Sequence, residues 1–512
     1  MKKDVKKKKL AVVEKKTDKV SKDVKQFVNN KKVFNIKVKK ILVILACLLC
    51  LFLFFKIVGG IFKLIFSDNY PEYPLIYQKA NGEMKVIGTK DKKGTKLSST
   101  DFVENVVYAN TTERYALYLK NGSLYLYDAK KKDEKIKVLA DVKAYKFSED
   151  DKYIYALNKN NELYLYNYKK STKIDSEVSS VRGISENYIF YVKNGSLYMR
   201  NIKKKKSDKV KIEDKFGSDL TIADNEKVIL YKNSENELKR YYIKKKSGEK
   251  IASSVNRYYP NDNCTKFYYV SDEDASTLYY FNGKEGLKIV KDIYDVSAID
   301  VDNKIAIYVK ADKGKFSLYF QREDKNAVKM EDDLNEPVYA KLYKGKEVYY
   351  VNSDKELRYG SIKGKKVSKI RTISDNVTDS LKAYKKGFAF VANVEGNSGE
   401  LYVVRHGRIK LIDEDVYKAS TIKVNTKGNK IYYFKDYGSS SGDLYYTKGS
   451  KPKLIASDVY KYQNVKNDLL YYIKDYDMAA IAGDLYRYDG KSKLIEKDVR
   501  TMAAIPNYFE QK

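Results

Sequence analysis

The chain repeats one short sequence signal at a nearly constant spacing for most of its length. The signal is the dipeptide Leu-Tyr or a close variant, and its successive leucines lie 39, 34, 41, 40, 40, 39, 44, 43 and 41 residues apart. The leucines are Leu124, Leu163, Leu197, Leu238, Leu278, Leu318, Leu357, Leu401, Leu444 and Leu485. Such a period means that one supersecondary unit is used many times, and that each unit buries its apolar faces against its neighbours.

Each unit has the residue pattern of four short strands. A β-branched or aromatic run such as Val348-Tyr349-Tyr350-Val351 comes first, followed by a turn such as Asn194-Gly195, whose residues tolerate positive φ. The Leu-Tyr strand, a Lys-rich turn and a short apolar strand follow, and an acid-Val step such as Asp458-Val459 leads into the next strand. No segment keeps a 3.6-residue apolar period over the length of a helix. The pattern therefore predicts an all-β fold of four-stranded units of about 40 residues, the size of a β-propeller blade.

One repeat also carries a family resemblance. The segment Phe147-Ser148-Glu149-Asp150-Asp151-Lys152-Tyr153-Ile154-Tyr155, followed by Leu163-Tyr164-Leu165-Tyr166, resembles the TolB-like propeller signature and, more distantly, the blades of Trp-Asp repeat proteins. It departs from the TolB-like pattern because Glu-Asp-Asp replaces Pro-Asp-Gly. The resemblance covers roughly residues 75 to 505. It implies a propeller architecture and no particular activity, because propellers host many unrelated functions.

The spacing predicts ten or eleven blades. Met84 lies 40 residues before Leu124 and supplies an eleventh anchor, but that first blade lacks an innermost strand. The C-terminal segment from Asp498 to Ile505 is an innermost strand without a blade, so we expect it to complete the first blade and close the circle. Since propellers usually have four to eight blades, two tandem rings are favoured over one large ring, with the irregular stretch Gln321 to Pro337 as the best boundary.

The N-terminal region predicts a membrane anchor. Residues 41 to 62 are apolar except for Lys56, and about 20 such residues suffice to span a bilayer. The preceding 40 residues carry 16 Lys against 4 acidic residues and should stay in the cytoplasm. A cleaved signal peptide would need a shorter basic front and a small-residue cleavage site. The predicted divisions are a basic tail at 1–40, a transmembrane helix and its flank at 41–66, a linker at 67–74 and an extracytoplasmic propeller at 75–512.

Lysines recur at one position of the repeat. The chain has a formal net charge of +33, and basic clusters follow the Leu-Tyr strand in several repeats. This predicts a basic rim made of Lys130, Lys131, Lys132, Lys169, Lys170, Lys203, Lys204, Lys205, Lys206, Lys244, Lys245 and Lys246. The acids of the acid-Val step should form an opposite rim: Asp141, Asp292, Asp415, Asp458 and Asp498. Charged turns are also typical of any solvated hairpin, so this pattern alone leaves both a structural and a binding role open.

The residues for catalysis or metal binding are sparse. Gly438-Ser439-Ser440-Ser441-Gly442 matches the hydrolase elbow in letters, but that elbow needs a following helix and here a strand sequence follows. The only histidine, His406, lies in a tight turn, and the three cysteines lack the spacing of a zinc site. We therefore expect no catalytic residue, no cofactor and no metal.

These observations predict a single-pass membrane protein whose propeller is a non-catalytic binding or scaffolding module. The expected partners are the membrane and either an anionic polymer of the cell envelope or a protein. Nucleic acid is not expected, because the propeller should lie outside the cytoplasm and no recognition module is visible. The alternative is a glycan-active envelope enzyme with carboxylates at a propeller mouth.

Overall fold

The computed structural model describes residues 75–503, with gaps at 89–90, 99–103, 110–113, 130–134, 205–208, 274, 324, 379–380, 385–386, 418, 426 and 465–468, and also Asp18 and Ser21. The predicted transmembrane segment 41–66 and linker 67–74 lie outside the described residues, so both stay predictions. No helix within the described part of the chain is long and apolar enough to cross a bilayer.

The described residues form an all-β structure of antiparallel blades with four strands each. We name the strands of a blade a, b, c and d from the inner to the outer edge of the sheet. Blade 1 contains β1 (Leu75–Lys79), β2 (Met84–Ile87) and β3 (Thr95–Ser98) as strands b to d, and blade 2 contains β4 (Glu104–Tyr108), β5 (Tyr115–Lys120), β6 (Ser123–Asp128) and β7 (Lys135–Leu139). Blade 3 contains β8 (Val142–Phe147), β9 (Ile154–Asn158), β10 (Leu163–Tyr166) and β11 (Ser171–Asp175). Blade 4 contains β12 (Val178–Ile184), β13 (Tyr188–Lys193), β14 (Ser196–Asn201) and β15 (Val210–Glu213). Blades 5 to 7 contain β16 (Phe216–Ile222), β17 (Val228–Asn233), β18 (Leu238–Tyr242), β19 (Ser247–Ala252); β20 (Val255–Pro260), β21 (Phe267–Ser271), β22 (Thr277–Phe281), β23 (Gly286–Val290); and β24 (Asp295–Asp300), β25 (Ile305–Asp312), β26 (Lys315–Arg322), β27 (Val328–Leu334).

The last blades share long strands. Blade 8 contains β28 (Lys341–Tyr343), β29 (Glu347–Val351), β30 (Leu357–Lys363), the short β31 (Lys366–Val367) and β32 (Arg371–Ser374). Blade 9 contains β33 (Lys382–Tyr384), β34 (Gly387–Glu395), β35 (Ser398–Arg405) and β36 (Arg408–Tyr417), and a 3₁₀ turn (Ala419–Thr421) leads into blade 10, with β37 (Lys423–Val424), β38 (Ile431–Lys435), β39 (Gly442–Thr447) and β40 (Lys453–Asn464). Blade 11 adds β41 (Leu470–Asp477), β42 (Ala482–Tyr488) and β43 (Ser492–Met502). Strands β36, β40 and β43 each begin as strand d of one blade and end as strand a of the next, because they pair with a strand on either side.

The C-terminal strand closes the structure. β43 pairs with β42 of blade 11 and then with β1, where Met502 lies opposite Tyr77 and Thr501 opposite Gln78. The end of β43 is therefore strand a of blade 1. This confirms the prediction that the two ends of the repeat region complete one blade.

The blades form one ring of eleven, so the expectation of two tandem rings is wrong. Each buried cluster of described residues joins blades that are neighbours in sequence, and one cluster also joins blade 11 to blade 1. The proposed boundary Gln321 to Pro337 instead supplies β27 and the passage to blade 8, and Val338 packs between blades 7 and 8. Because every blade buries its faces against its sequence neighbours, no break is left at which a second ring could begin.

The Leu-Tyr signal marks the same structural position in every blade. All ten anchor leucines are 0% exposed, and Met84, the predicted eleventh anchor, is 6% exposed. In each blade, the pairing of strands c and d shifts register directly after the anchor, which is a β-bulge. The bulge increases local twist while the leucine stays in the core between blades.

Partly buried ion pairs link the blades where strand b of one blade meets strand d of the blade before it. The Glu496 carboxylate accepts hydrogen bonds from the Tyr77 hydroxyl (3.1 Å) and from the amino groups of Lys85 (2.8 Å) and Lys79 (3.2 Å). The same tyrosine–carboxylate–lysine arrangement recurs at three more interfaces: Tyr191, Asp175 and Lys209; Tyr231, Glu213 and Lys239; Tyr433, Asp413 and Lys435. Polar contacts thus supplement apolar packing between blades.

Removal of the closing strand should open the ring. Deletion of residues 499–512 removes the burial of Val499 and Met502, both at most 2% exposed. The loss should lower the free energy of unfolding by about 3–6 kcal/mol, the value for two such side chains. The control deletes only 504–512, which lie outside the described residues, and should leave stability unchanged. Thermal unfolding of the detergent-solubilised chain measures both, and equal unfolding midpoints for the two truncations would contradict closure by this strand.

Protonation of Glu496 should lower the stability of the chain at acid pH. Burial alone would raise the pKa of its carboxyl, but hydrogen bonds from Lys85 and Lys79 outweigh burial and lower it. The stabilisation is then present above the unfolded-state pKa and is lost as the pH falls through the folded-state pKa. Glu496→Gln should destabilise the chain by about 1–3 kcal/mol at pH 7 and by much less near pH 3.

Urea denaturation of both chains at several pH values measures this difference. The matched control is Asp214→Asn, because the Asp214 side chain is 75% exposed and should contribute little. A difference between wild type and Glu496→Gln that stays constant from pH 7 to pH 3 would refute the assignment.

Candidate functional site

The predicted basic rim lies at one end of the blades. In an antiparallel blade, the a–b and c–d turns lie at one end, and the b–c turns and d–a junctions lie at the other. The lysines of the rim fall in c–d turns: between β10 and β11, between β14 and β15, and between β18 and β19. We call this end the lysine face and define it by its exposed members Lys169, Lys170, Lys203, Lys204, Lys244, Lys245 and Lys246. Lys130, Lys131, Lys132, Lys205 and Lys206 lie outside the described residues.

Most of these lysines have no counter-ion. Lys203 pairs with Glu186 at 2.6 Å. Lys245 lies over the Tyr242 ring, with its amino nitrogen 5.1 Å from the ring centroid. Where the structure describes the chain, Lys169, Lys170, Lys204, Lys244, Lys245 and Lys246 form no ion pair. Their charge is therefore not neutralised by an ion pair with a described carboxylate.

The acids of the acid-Val step lie at the opposite end and have a local structural role. Asp141, Asp292, Asp415, Asp458 and Asp498 have φ angles of 49°, 56°, 57°, 56° and 57°. Aspartate tolerates this left-handed conformation better than most residues other than glycine. The residue that follows each acid is at most 5% exposed and enters the core. The acid-Val step is thus a backbone junction between blades, a role that sequence reasoning missed.

The chain enters the ring at the lysine face. β1 is strand b of blade 1, so Leu75 lies at the a–b end of the blade. β43 also ends there, since Met502 pairs with Tyr77.

A cleft of about 510 Å³ opens on the lysine face between blades 6 and 7. Lys266 comes from the β20–β21 turn, Lys284 from the β22–β23 turn and Lys304 from the β24–β25 turn. Sequence reasoning missed this group because each lysine stands alone in its turn rather than in a run. The common position in the repeat, a turn of the lysine face, is the signal that could have found them.

The sequence motifs for catalysis have structural explanations. Gly442 begins β39 directly after the Gly438–Ser441 turn, so the hairpin interpretation is confirmed. His406 lies in the β35–β36 turn with φ 50°, and its Nδ1 is hydrogen-bonded to Glu347 of blade 8. Cys264 is fully buried, and burial raises the pKa of its thiol to about 12. Among the residues that the structure describes, no three His, Cys, Asp or Glu side chains are grouped as metal ligands.

Solved structures with detectable similarity are distant from this chain. A structure of a eukaryotic initiation factor is 10% identical, with a TM-score of 0.42, and covers 83% of this chain and 98% of its own. The C-terminal WD40 domain of Sif2 is 15% identical, with a TM-score of 0.32 and coverage of 65% and 93%. Hsv2 of Kluyveromyces lactis is 10% identical, with a TM-score of 0.29 and coverage of 54% and 100%. No family model and no curated protein matches the chain. The assignment as an eleven-bladed propeller therefore rests on its own strand topology, and the TolB-like resemblance stays a prediction.

Proposed function

We propose that this chain is a membrane-tethered binding module whose lysine face holds an anionic polymer of the cell envelope. The observation that carries the proposal is the group of exposed lysines without ion pairs on one face of the ring. Each blade packs against a neighbouring blade on both sides, so the lysine face has a fixed geometry. Binding to a rigid surface costs little ordering of the protein.

The local roles of the acids at the d–a junctions and of the lysines in the c–d turns differ, and this difference supports the proposal. The acids at the d–a junctions occupy left-handed positions that the backbone requires, whereas the described lysines of the c–d turns other than Lys246, whose φ is 52°, have no comparable local role. An elongated polyanion can contact several blades at once, and multiple weak contacts then add in one binding event. A polymer suits this spacing of charges better than a small ion does.

The proposed location is the outer side of a membrane. Residues 41–66 would form the single span, with the basic tail 1–40 in the cytoplasm and the ring outside. Residues 67–74 alone separate the span from the strand that enters the ring at the lysine face.

Neutralising the lysine face should weaken polymer binding. The variant combines Lys169→Gln, Lys170→Gln and Lys244→Gln, and its binding to immobilised poly(glycerol phosphate) should fall roughly 3- to 100-fold at low salt, because each exposed charge contributes about 0.2–1 kcal/mol. The difference should shrink at 0.5 M salt, because exposed charges are screened. Full-length protein in nanodiscs and surface plasmon resonance provide the measurement.

The matched control removes three exposed lysines from the opposite end of the blades: Lys159→Gln, Lys313→Gln and Lys355→Gln. This control loses the same net charge but should keep most of the binding. Equal weakening by both triple variants would show a nonspecific charge effect, and binding that ignores ionic strength would refute the proposal.

The predicted orientation has its own test. Lys169→Cys places a thiol on the exposed c–d turn of blade 3, and a membrane-impermeant maleimide should label it in intact cells. Cys264 is fully buried and should stay unlabelled. Labelling of the Lys169→Cys chain only after cell lysis would place the ring in the cytoplasm and contradict the proposed location.

A further inference from the structure

The cleft between blades 6 and 7 has an excess of positive charge. Lys266, Lys284 and Lys304 line it from three different turns, and Glu323 is its only lining acid within the described residues. Glu323 pairs with Lys304 at 3.0 Å. Lys266 and Lys284 have no such partner where the structure describes the chain. Two lysines are therefore available to an anion at the cleft.

Two buried tyrosine hydroxyls lie beside these charges without a hydrogen-bond partner. Tyr280 lines the cleft at 4% exposure, and the Tyr268 ring lies 4.9 Å from it, centroid to centroid, at 0% exposure. Neither hydroxyl has a partner among the described residues. Lys304 and Glu323, which line the cleft, act electrostatically on Tyr280, so its hydroxyl lies near the cleft wall. Burial raises the pKa of both phenols, and both therefore stay protonated donors at neutral pH.

In blade 8, the tyrosine at the position of Tyr268 has an internal acceptor. Tyr349 lies on strand b and faces blade 9 as Tyr268 faces blade 7, and its hydroxyl donates to Glu347 Oε2 at 2.5 Å. Blade 6 has Lys266 at the position of Glu347, so the Tyr268 hydroxyl lacks this acceptor. A buried donor without an acceptor costs about 1–3 kcal/mol, and a bound acceptor oxygen would remove that cost.

Apart from Asn282, the remaining wall of the cleft is apolar. Leu287, 37% exposed, and Ile289 lie on β23 along the cleft. The volume of about 510 Å³ falls in the range of small-molecule sites. A fitting ligand thus combines a compact oxyanion with a short carbon chain.

We infer that this cleft binds the phosphate group of a phosphorylated polyol, with Lys266 and Lys284 neutralising its charge and the Tyr280 hydroxyl donating to one of its oxygens. The inference rests on the proposed function, because a polyol-phosphate polymer would present such groups to the lysine face. Leu287 and Ile289 contact the methylene groups of the polyol. The cleft then fixes one repeating unit of the polymer, while the exposed lysines hold the rest less specifically.

Isothermal titration calorimetry of the full chain with glycerol phosphate tests the inference. The double variant Lys266→Gln/Lys284→Gln and the single variant Tyr280→Phe should each weaken binding roughly tenfold or more, since hydrogen bonds and charges to an ionised group are strong. The control Lys159→Gln/Lys355→Gln, at the opposite end of the blades, should bind as wild type does. Inorganic phosphate should bind more weakly than glycerol phosphate because it lacks the apolar contacts, and equal affinity would overturn the polyol assignment.

Stability separates ligand binding from a structural role of the hydroxyl. Tyr280→Phe removes a group that has no described partner, so its unfolding temperature should equal or exceed that of wild type without ligand. A clear decrease would mean that the hydroxyl serves the fold, for example through a buried water, and would overturn its assigned role.

The experiments distinguish an incorrect assignment of the cleft from an incorrect proposed function. Absence of saturable glycerol phosphate binding, or wild-type affinity in Lys266→Gln/Lys284→Gln, overturns the cleft assignment. If poly(glycerol phosphate) is still retained in that case, the proposed function stands without the cleft. If glycerol phosphate binds at the cleft and the polymer is not retained by the lysine face, the cleft stands and the proposed function fails.

Discussion

The ring depends on the burial of one anchor side chain per blade between neighbouring sheets. The anchor is a leucine in ten blades and Met84 in the first, and each lies directly before a β-bulge whose extra residue is on strand d. The bulge changes the register of strand d, while strands b and c continue their regular pairing. The outer strand can therefore twist away without moving the anchor from the core. The same anchor and bulge recur in every blade, and the eleven interfaces between neighbouring blades close into one ring.

Polar groups at the interfaces follow from the tyrosine content of the chain. The tyrosine of strand b reaches an acid on strand d of the preceding blade, as Tyr433 does to Asp413 at 2.7 Å, and a lysine two residues later neutralises that acid. Aromatic side chains also pair across strands b and c, as in Tyr269 and Tyr279, whose ring centroids lie 5.0 Å apart. Such cross-strand pairs contribute about 0.2–1 kcal/mol each. The fifty tyrosines thus combine apolar area with a hydroxyl that needs a partner, and Tyr280 shows the consequence where that partner is missing.

Local periodicity was sufficient to predict the blade, its strand order and its closure, because these depend on residues close in sequence or at fixed repeat positions. Met84 and the strand that ends at Met502 were both found in this way. The number of rings was predicted wrongly, because the prediction followed the usual number of four to eight blades, whereas Val338 packs against blade 7 and leaves no break near Gln321. The lysine runs were visible, but Lys266, Lys284 and Lys304 were not recognised as a group. They meet only when two blades pack together, and the sequence shows neither that contact nor the missing acceptor of Tyr280.

The acids at one end of the blades have a role in the backbone that the turn lysines at the other end lack. The proposed function of the lysine face depends on this difference. An acid such as Asp498 occupies a left-handed position and is followed by a fully buried valine, so the fold itself explains its presence. Lys169 and Lys170 lie exposed in a turn, and the backbone amides of both are bonded to Asn167 rather than to anything a lysine supplies. Asn167 therefore stabilises the turn, and many other polar residues could replace Lys169 and Lys170 without changing it. The proposal of an anionic ligand rests on these turn lysines, which the fold does not require, and on the cleft beside them with its unpaired tyrosine hydroxyl.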